Sequence, residues 1–268
     1  MNKICFTLIL IQLLISSCKK EESLPEYNTD PIVTAYLYSN LPFYLHLEHQ
    51  KSTSSQTYVS PGLDSLDITI TTGKSVHHLL TMGGGVYTDS TLNIVAGNQY
   101  DLSFIYNGKL ISASTIIPSK PENVEISESK ITVTQVTSTT NSFPPGGQVT
   151  PVSITWTNSD ASYYLTVVKN MESNLVRTDL TIDSTDTTLV FRNKPIIKAS
   201  DEINTQSLRY YGKHRIILYH INPDYASLYN ESNSSSQNLS TPSKGITNGV
   251  GIFTGVNADT LYLQVNKK

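Results

Sequence analysis

Cys18 sits in the most chemically specific setting of the chain. Lys3 precedes an apolar run over 4–15, broken only by Thr7 and Gln12, and Ser16-Ser17 separate that run from the thiol. A cysteine after small residues at the end of such a run is the acyl acceptor of a lipoprotein signal. The twelve residues of the run fall short of the roughly 20 that a spanning helix needs. Each buried methylene contributes about 0.8 kcal/mol, so several acyl chains hold a protein at a membrane where one would not. The spacing predicts that 1–17 are removed and that Cys18 becomes the first mature residue, carrying palmitate-class chains. Residues 18–28 are polar, contain Pro25 and lack periodicity, as a flexible tether would.

Little other catalytic chemistry is spelled out. Cys5 leaves with the signal, so the mature chain has neither a disulfide nor a thiol nucleophile. Gly73-Lys74-Ser75 matches the end of a phosphate-binding loop, but position 68 is Ile where that motif needs Gly, and a strand pattern follows instead of a helix. His46 and His49 fall on opposite faces of an extended strand, as do His77 and His78, so neither pair can share a metal. His214 and His220 share a face but stand roughly 20 Å apart at ~3.3 Å per residue. There is no HExxH and no GxSxG elbow. Asp183 and Asp186 read as a solvated polar turn. The residues call for no metal, no cofactor and no catalytic group. A hydrolase assembled from distant carboxylates is the third-ranked function.

Modification and binding chemistry is better represented. Asp64-Ser65-Leu66, Asp89-Ser90-Thr91, Asp183-Ser184-Thr185, Asp186-Thr187-Thr188 and Asp259-Thr260-Leu261 each resemble the Asp-Ser/Thr-apolar acceptor of Bacteroidota O-glycosylation. Ser65, Ser90, Ser184, Thr187 and Thr260 are therefore candidate acceptors. Tyrosines gather at 36, 38 and 44, at 163 and 164, at 210 and 211, and at 225 and 229. They suit either cross-strand packing or an aromatic platform for sugars or peptides.

The elements that must position these side chains are strands. Sixteen tyrosines, many β-branched residues and only 15% charged residues favour sheets with one solvated face. Strand patterns occupy 32–38, 43–49, 65–71, 75–82, 91–95, 100–106 and 109–117, with Asn107-Gly108 as a hairpin turn. Pro118-Ser119-Lys120-Pro121 reads as a stiff linker. Strands resume at 124–126, 131–136, 152–157, 163–169, 180–191 and 215–220. Asn222-Pro223-Asp224 opens one short helix near 223–231. The polar stretch 230–243 reads as a loop, and two last strands follow at 249–253 and 261–265. Trp156, ahead of a Tyr-rich strand, resembles the core tryptophan of a fibronectin type III sandwich, with core filling as its expected role.

The expected fold is all-β, with two immunoglobulin-like or fibronectin III-like sandwiches over 29–118 and 122–268. The 251 residues left after 1–17 can bury such cores without staples. Without Lys3 the formal charge moves from −3 to −4, and no run of basic residues stands out, which argues against nucleic acid as a partner.

Cys18-Lys19-Lys20-Glu21-Glu22 resembles the surface-export signal of Bacteroidota lipoproteins, with Lys19, Lys20, Glu21 and Glu22 as its determinants. The body is similar to a Bacteroidota cell-surface lipoprotein family of unknown function, often encoded beside TonB-dependent receptors. The resemblance rests on IVTAYLY after the tether, AGNQYDLSFIYNGKLISASTIIPSKPENVEIS, ITWTN before a Tyr-rich strand, and GITNGVGIFTGV near the end. It implies a lipid-anchored, outward-facing, non-enzymatic binding or accessory protein of the outer membrane. It also implies a TonB-dependent receptor as partner. An adhesin or glycan-binding module, with a glycan or peptide ligand, is the second reading, and attachment at the periplasmic face is the alternative location. Residues 245–255, where Gly alternates with apolar residues, suit either an open edge for a partner or a closing core strand.

Overall fold

Alternation builds this molecule. In β1 (Ile32–Tyr38), Val33, Ala35 and Leu37 are buried, and Thr34, Tyr36 and Tyr38 face the other way. The computed structural model describes residues 30–50, 62–137, 151–181, 188–231 and 245–268. Residues 1–29, on which the expected signal and tether fall, lie outside the described residues, Cys18 through Glu22 included, as do Asp183, Ser184, Asp186 and Thr187.

The first half continues with β2 (Leu45–Glu48), β3 (Ile68–Thr72), β4 (Ser75–His78), β5 (Leu80–Gly83), β6 (Val86–Thr88), β7 (Gln99–Tyr106) and β8 (Lys109–Ile116). The second half holds β9 (Glu122–Ile126), β10 (Lys130–Val133), β11 (Val152–Thr157), β12 (Tyr163–Asn170), β13 (Val190–Arg192), β14 (Ser200–Ile203) and β15 (Gly212–Ile221). Helix α1 (Pro223–Glu231), β16 (Ile246–Thr247) and the long β17 (Val250–Lys267) complete the order. The expectation of an all-β chain with one short helix holds among the described residues.

One large sheet organises the fold. Its order is β13-β12-β15-β17-β1-β2-β6-β5, with β10 added beside β17. Two smaller sheets, β16-β8-β7-β3-β4 and β14-β11-β9, complete the architecture. The five-stranded sheet packs on the β1 half, around Leu37, Leu45, Tyr87, Leu102 and Ile111. The three-stranded sheet packs on the β15 half, around Ile154, Trp156, Ile216, Leu218 and Leu263. Register places both cores on one face of the large sheet: Phe253 pairs with Ala35, and Leu263 with His214. The result is two sandwiches side by side under a common layer.

β17 makes them share that layer. Residues 250–256 run parallel to β1, 256–265 run antiparallel to β15, and 264–267 run parallel to β10. The two terminal strands expected at 249–253 and 261–265 are thus one continuous strand, because β1 pairs with Thr254 to Val256 and β15 with everything from Val256 to Val265, so that the two ladders overlap across the stretch between them. Residues 250–256 ladder with β1 on one side, only Val256 pairs with both β1 and β15, and Gly255 N donates instead to Thr115 Oγ1 at 2.8 Å.

The 118–121 linker is tied down. Pro118 O accepts from Asn257 Nδ2 at 3.0 Å, Ser119 O from His220 Nδ1 at 2.8 Å, and Lys120 pairs with Asp259 at 2.9 Å. A side chain at Gly255 would meet Ile116 O at 2.5 Å, so only glycine lets β17 pass this close.

The segment 91–95 is a loop, not a strand. Leu92 and Ile94 are buried alternately as a strand would bury them. The backbone is taken by a side chain, however: Val95 N donates to the Tyr100 hydroxyl, which donates to Asn93 O, both at 2.8 Å.

Candidate functional site: the outer face of the large sheet

The two small sheets cover one face of the large sheet, and the other face carries the tyrosines. Helix α1 lies across it. The Asn222 carbonyl accepts the first helical bond from Ala226 N, and Pro223 supplies a preset φ at the first turn. The Asn222 side chain reaches back to Thr115 Oγ1 and Ile116 O, each at 3.0 Å. Asp224 Oδ1 accepts from Thr254 Oγ1 at 2.9 Å, fastening the helix to β17. Tyr36 and Tyr225 then meet at 5.1 Å, Tyr225 and Tyr229 at 6.2 Å, and Tyr38 and Tyr219 at 6.2 Å, all tilted. Leu165, Val167, Ile221 and Val256 floor the cluster, with Tyr163 at its side.

Burial raises these phenols. Tyr38 is pushed up to about 12 by burial and then by the neighbouring Tyr219 and Tyr36, against a lowering influence from Arg192. Burial raises Tyr225 and Tyr36, and Tyr219 as well, although Arg215 and Arg192 oppose the last. All four therefore stay neutral near neutral pH, able to donate O–H hydrogen bonds.

Cations gather beside them. Partners in register share a face, so the outer face can be read in rows. Lys130 of β10 lies beside Gln264, which pairs with Lys213. The next row holds Tyr262, Arg215, Lys169 and Val190, and the one after it Thr260, Ile217, Val167 and Arg192. Ala258, Tyr219 and Leu165 follow, then Val256, Ile221 and Tyr163, with Tyr38 next to Val256 on β1. No aspartate or glutamate stands at any of these positions. Lys213 Nζ sits 4.3 Å from the Tyr262 ring centroid. Arg215 Nε is buried and donates to none of the described residues. Sequence reasoning missed this grouping because its members lie on four strands far apart in the chain.

The remaining candidates resolve into structural roles. Asp64, beside Ser65, accepts from Gly85 N at 2.9 Å, Gly84 N at 3.1 Å and Thr81 Oγ1 at 3.2 Å, and those bonds hold its carboxyl below the usual range. Asp89, beside Ser90, accepts from His77 Nδ1 at 2.8 Å and from the Thr91 hydroxyl at 2.7 Å. Burial pushes Asp89 up, but the Thr91 and His77 hydrogen bonds outweigh it and lower its pKa. This Asp–His pair has the orienting geometry of a triad, but the adjacent Thr91 hydroxyl is spent on the aspartate. Asp259, beside Thr260, pairs with Lys120. Ser65, Ser90 and Thr260 are themselves exposed.

Trp156 lies in the core at 5% exposure, against Tyr164 at 5.2 Å, and Tyr164 stacks on His220 at 4.7 Å. His214 accepts from Asn170 Nδ2 through Nε2 at 3.2 Å and donates from Nδ1 to Gly212 O at 3.1 Å. Among the described residues no three His, Cys, Asp or Glu side chains converge as a metal site, and no helix is long and apolar enough to cross a membrane.

No protein-family model matches this chain, and no curated protein matches it in sequence. Among solved structures it is similar to the FN1–FN3 domains of chicken CNTN1, at 11% identity and a TM-score of 0.26, over 89% of this chain and 69% of that one.

Proposed function

We propose that this chain is a lipid-anchored, non-enzymatic binding protein at the outer surface of a bacterial outer membrane, serving as accessory to a TonB-dependent transporter. Cys18 is the anchor, and Lys19, Lys20, Glu21 and Glu22 direct it outward. The observation that carries the binding role is the outer face of the large sheet. It gathers neutral phenols and the guanidinium groups of Arg192 and Arg215, neither of which forms an ion pair among the described residues, on a continuous sheet. What supports the anchoring is the sequence setting of Cys18 and the short tether from it to β1 at Ile32.

Cell fractionation tests the anchor. The Cys18→Ala chain is expected in the soluble fraction; retention in the membrane contradicts lipid attachment. Crosslinking on intact cells is expected to trap a barrel-sized outer-membrane partner, and recovery of the uncrosslinked chain alone contradicts the accessory role. A glycan-binding module is the second reading, favoured by the tyrosine cluster on the same face.

A further inference from the structure

Five of the 19 lysines and arginines in a chain of net charge −3 share one sheet face, and among the described residues no aspartate or glutamate stands in the strand rows that hold them. Glu48 of β2 and Asp224 of the helix lie farther along the same face. Lys169 and Arg215 stand directly opposite each other, and like charges so placed are destabilising. An arrangement that weakens the sheet and leaves a buried guanidinium N–H without a described acceptor fits an anionic occupant. We propose that this face binds carboxylate-bearing oligosaccharides.

The shape of the site selects among anions. β12 and β15, which carry Lys169, Lys213 and Arg215, are interior strands paired on both sides, so a peptide strand cannot add to the sheet where these three cations stand. Recognition falls to side chains projecting from a flat surface. Five strands at ~4.8 Å spacing spread the cations over about 19 Å, room for a short oligomer. Arg215 stands four residues from Tyr219 on β15 and Arg192 lies across Val167 from Ile217, and both guanidinium charges are close enough to act on the Tyr219 phenol. A sugar carboxylate is matched by the planar guanidinium forks, its hydroxyls by the Tyr38 and Tyr219 O–H groups, and its C–H face by the rings. The inference rests on the reading of the chain as a binding protein and names its ligand class.

Calorimetry on the full, lipidated chain in detergent tests it, with hexagalacturonate as the acidic probe and maltohexaose as the neutral one. Hexagalacturonate is expected to bind, maltohexaose not, and the affinity to fall at high salt. Arg215→Gln and Arg192→Gln should each weaken binding about tenfold. Lys74→Gln, at the β3–β4 turn, should leave it unchanged. Should Arg215→Gln fail to fold, the exposed Lys130→Gln and Lys213→Gln carry the same comparison. Equal binding of the two sugars, indifference to both arginine changes, or tighter binding of oligo-dT or polyglutamate would overturn the proposal. Such a result with unchanged membrane fractionation refutes the ligand class and leaves the anchored binding protein standing.

Discussion

Lys169 lies directly across from Arg215 in the β12–β15 ladder, two cations facing each other on the outer face of the large sheet. Neither forms an ion pair with a described carboxylate. Cross-strand like charges repel, and the repulsion is greatest at low ionic strength.

Removing one of the two charges should stabilise the fold. Lys169→Gln is expected to raise the unfolding free energy by about 0.5 kcal/mol at low salt, seen as a higher urea midpoint, with the gain fading at high salt. A lower midpoint at low salt would mean that the lysine stem packs more favourably than its charge repels.

Burial holds His214 below the ordinary histidine pKa, with the Gly212 hydrogen bond and nearby Glu172 pulling the other way. Its Nε2 accepts from Asn170, so the folded state keeps it neutral. Below about 6.5 the unfolded chain takes up a proton that the folded chain refuses. Stability should therefore fall as pH drops through that value and keep falling until the lower folded pKa is reached. Thermal melts between neutral and mildly acidic pH should show this slope, and His214→Gln should flatten it. An unchanged slope in the variant would assign the acid sensitivity elsewhere.

The shared strand predicts joint unfolding. Phe253 of β17 belongs to the first core, and Leu263 and Val265 belong to the second, so neither sandwich is closed without it. Trp156, the only tryptophan, reports on the second core. Its fluorescence and hydrogen exchange at Leu102 in the first core should follow one denaturant transition. Gly255→Ala should shift both together by about 1–3 kcal/mol, because its methyl group meets the Ile116 carbonyl and the Ile117 backbone. Separate midpoints would show that the halves stand alone.

Much of the fold could be read from local pattern. IVTAYLY and VSITWT alternate cleanly, and those strands span 32–38 and 152–157 as read. Asn107-Gly108 turns the β7–β8 hairpin with φ of 48° and 73°. Legibility ended where long-range contacts decide. Leu92 and Ile94 bury alternately, yet the Tyr100 hydroxyl takes the backbone groups that a ladder would use. The stretch Thr254-Gly255-Val256-Asn257 looks like a break, yet β1 pairs with it up to Val256 and β15 takes over from Val256, which carries the strand through. The cation face was invisible because Lys130, Lys169, Arg192, Lys213 and Arg215 meet only through register. The proposed role of Cys18, which lies outside the described residues, rests on its immediate neighbours in the sequence alone.

The central claim is that the anchored chain presents its outer sheet face to the cell exterior. Under the proposed processing Cys18 is the only cysteine left and its thiol carries the lipid, so one engineered thiol reports without background. Thr260→Cys places that thiol at an exposed position in the middle of the face. Labelling intact cells with a membrane-impermeant maleimide should modify it as fully as labelling after lysis. Labelling only after lysis would contradict the account and turn the protein to the periplasmic side.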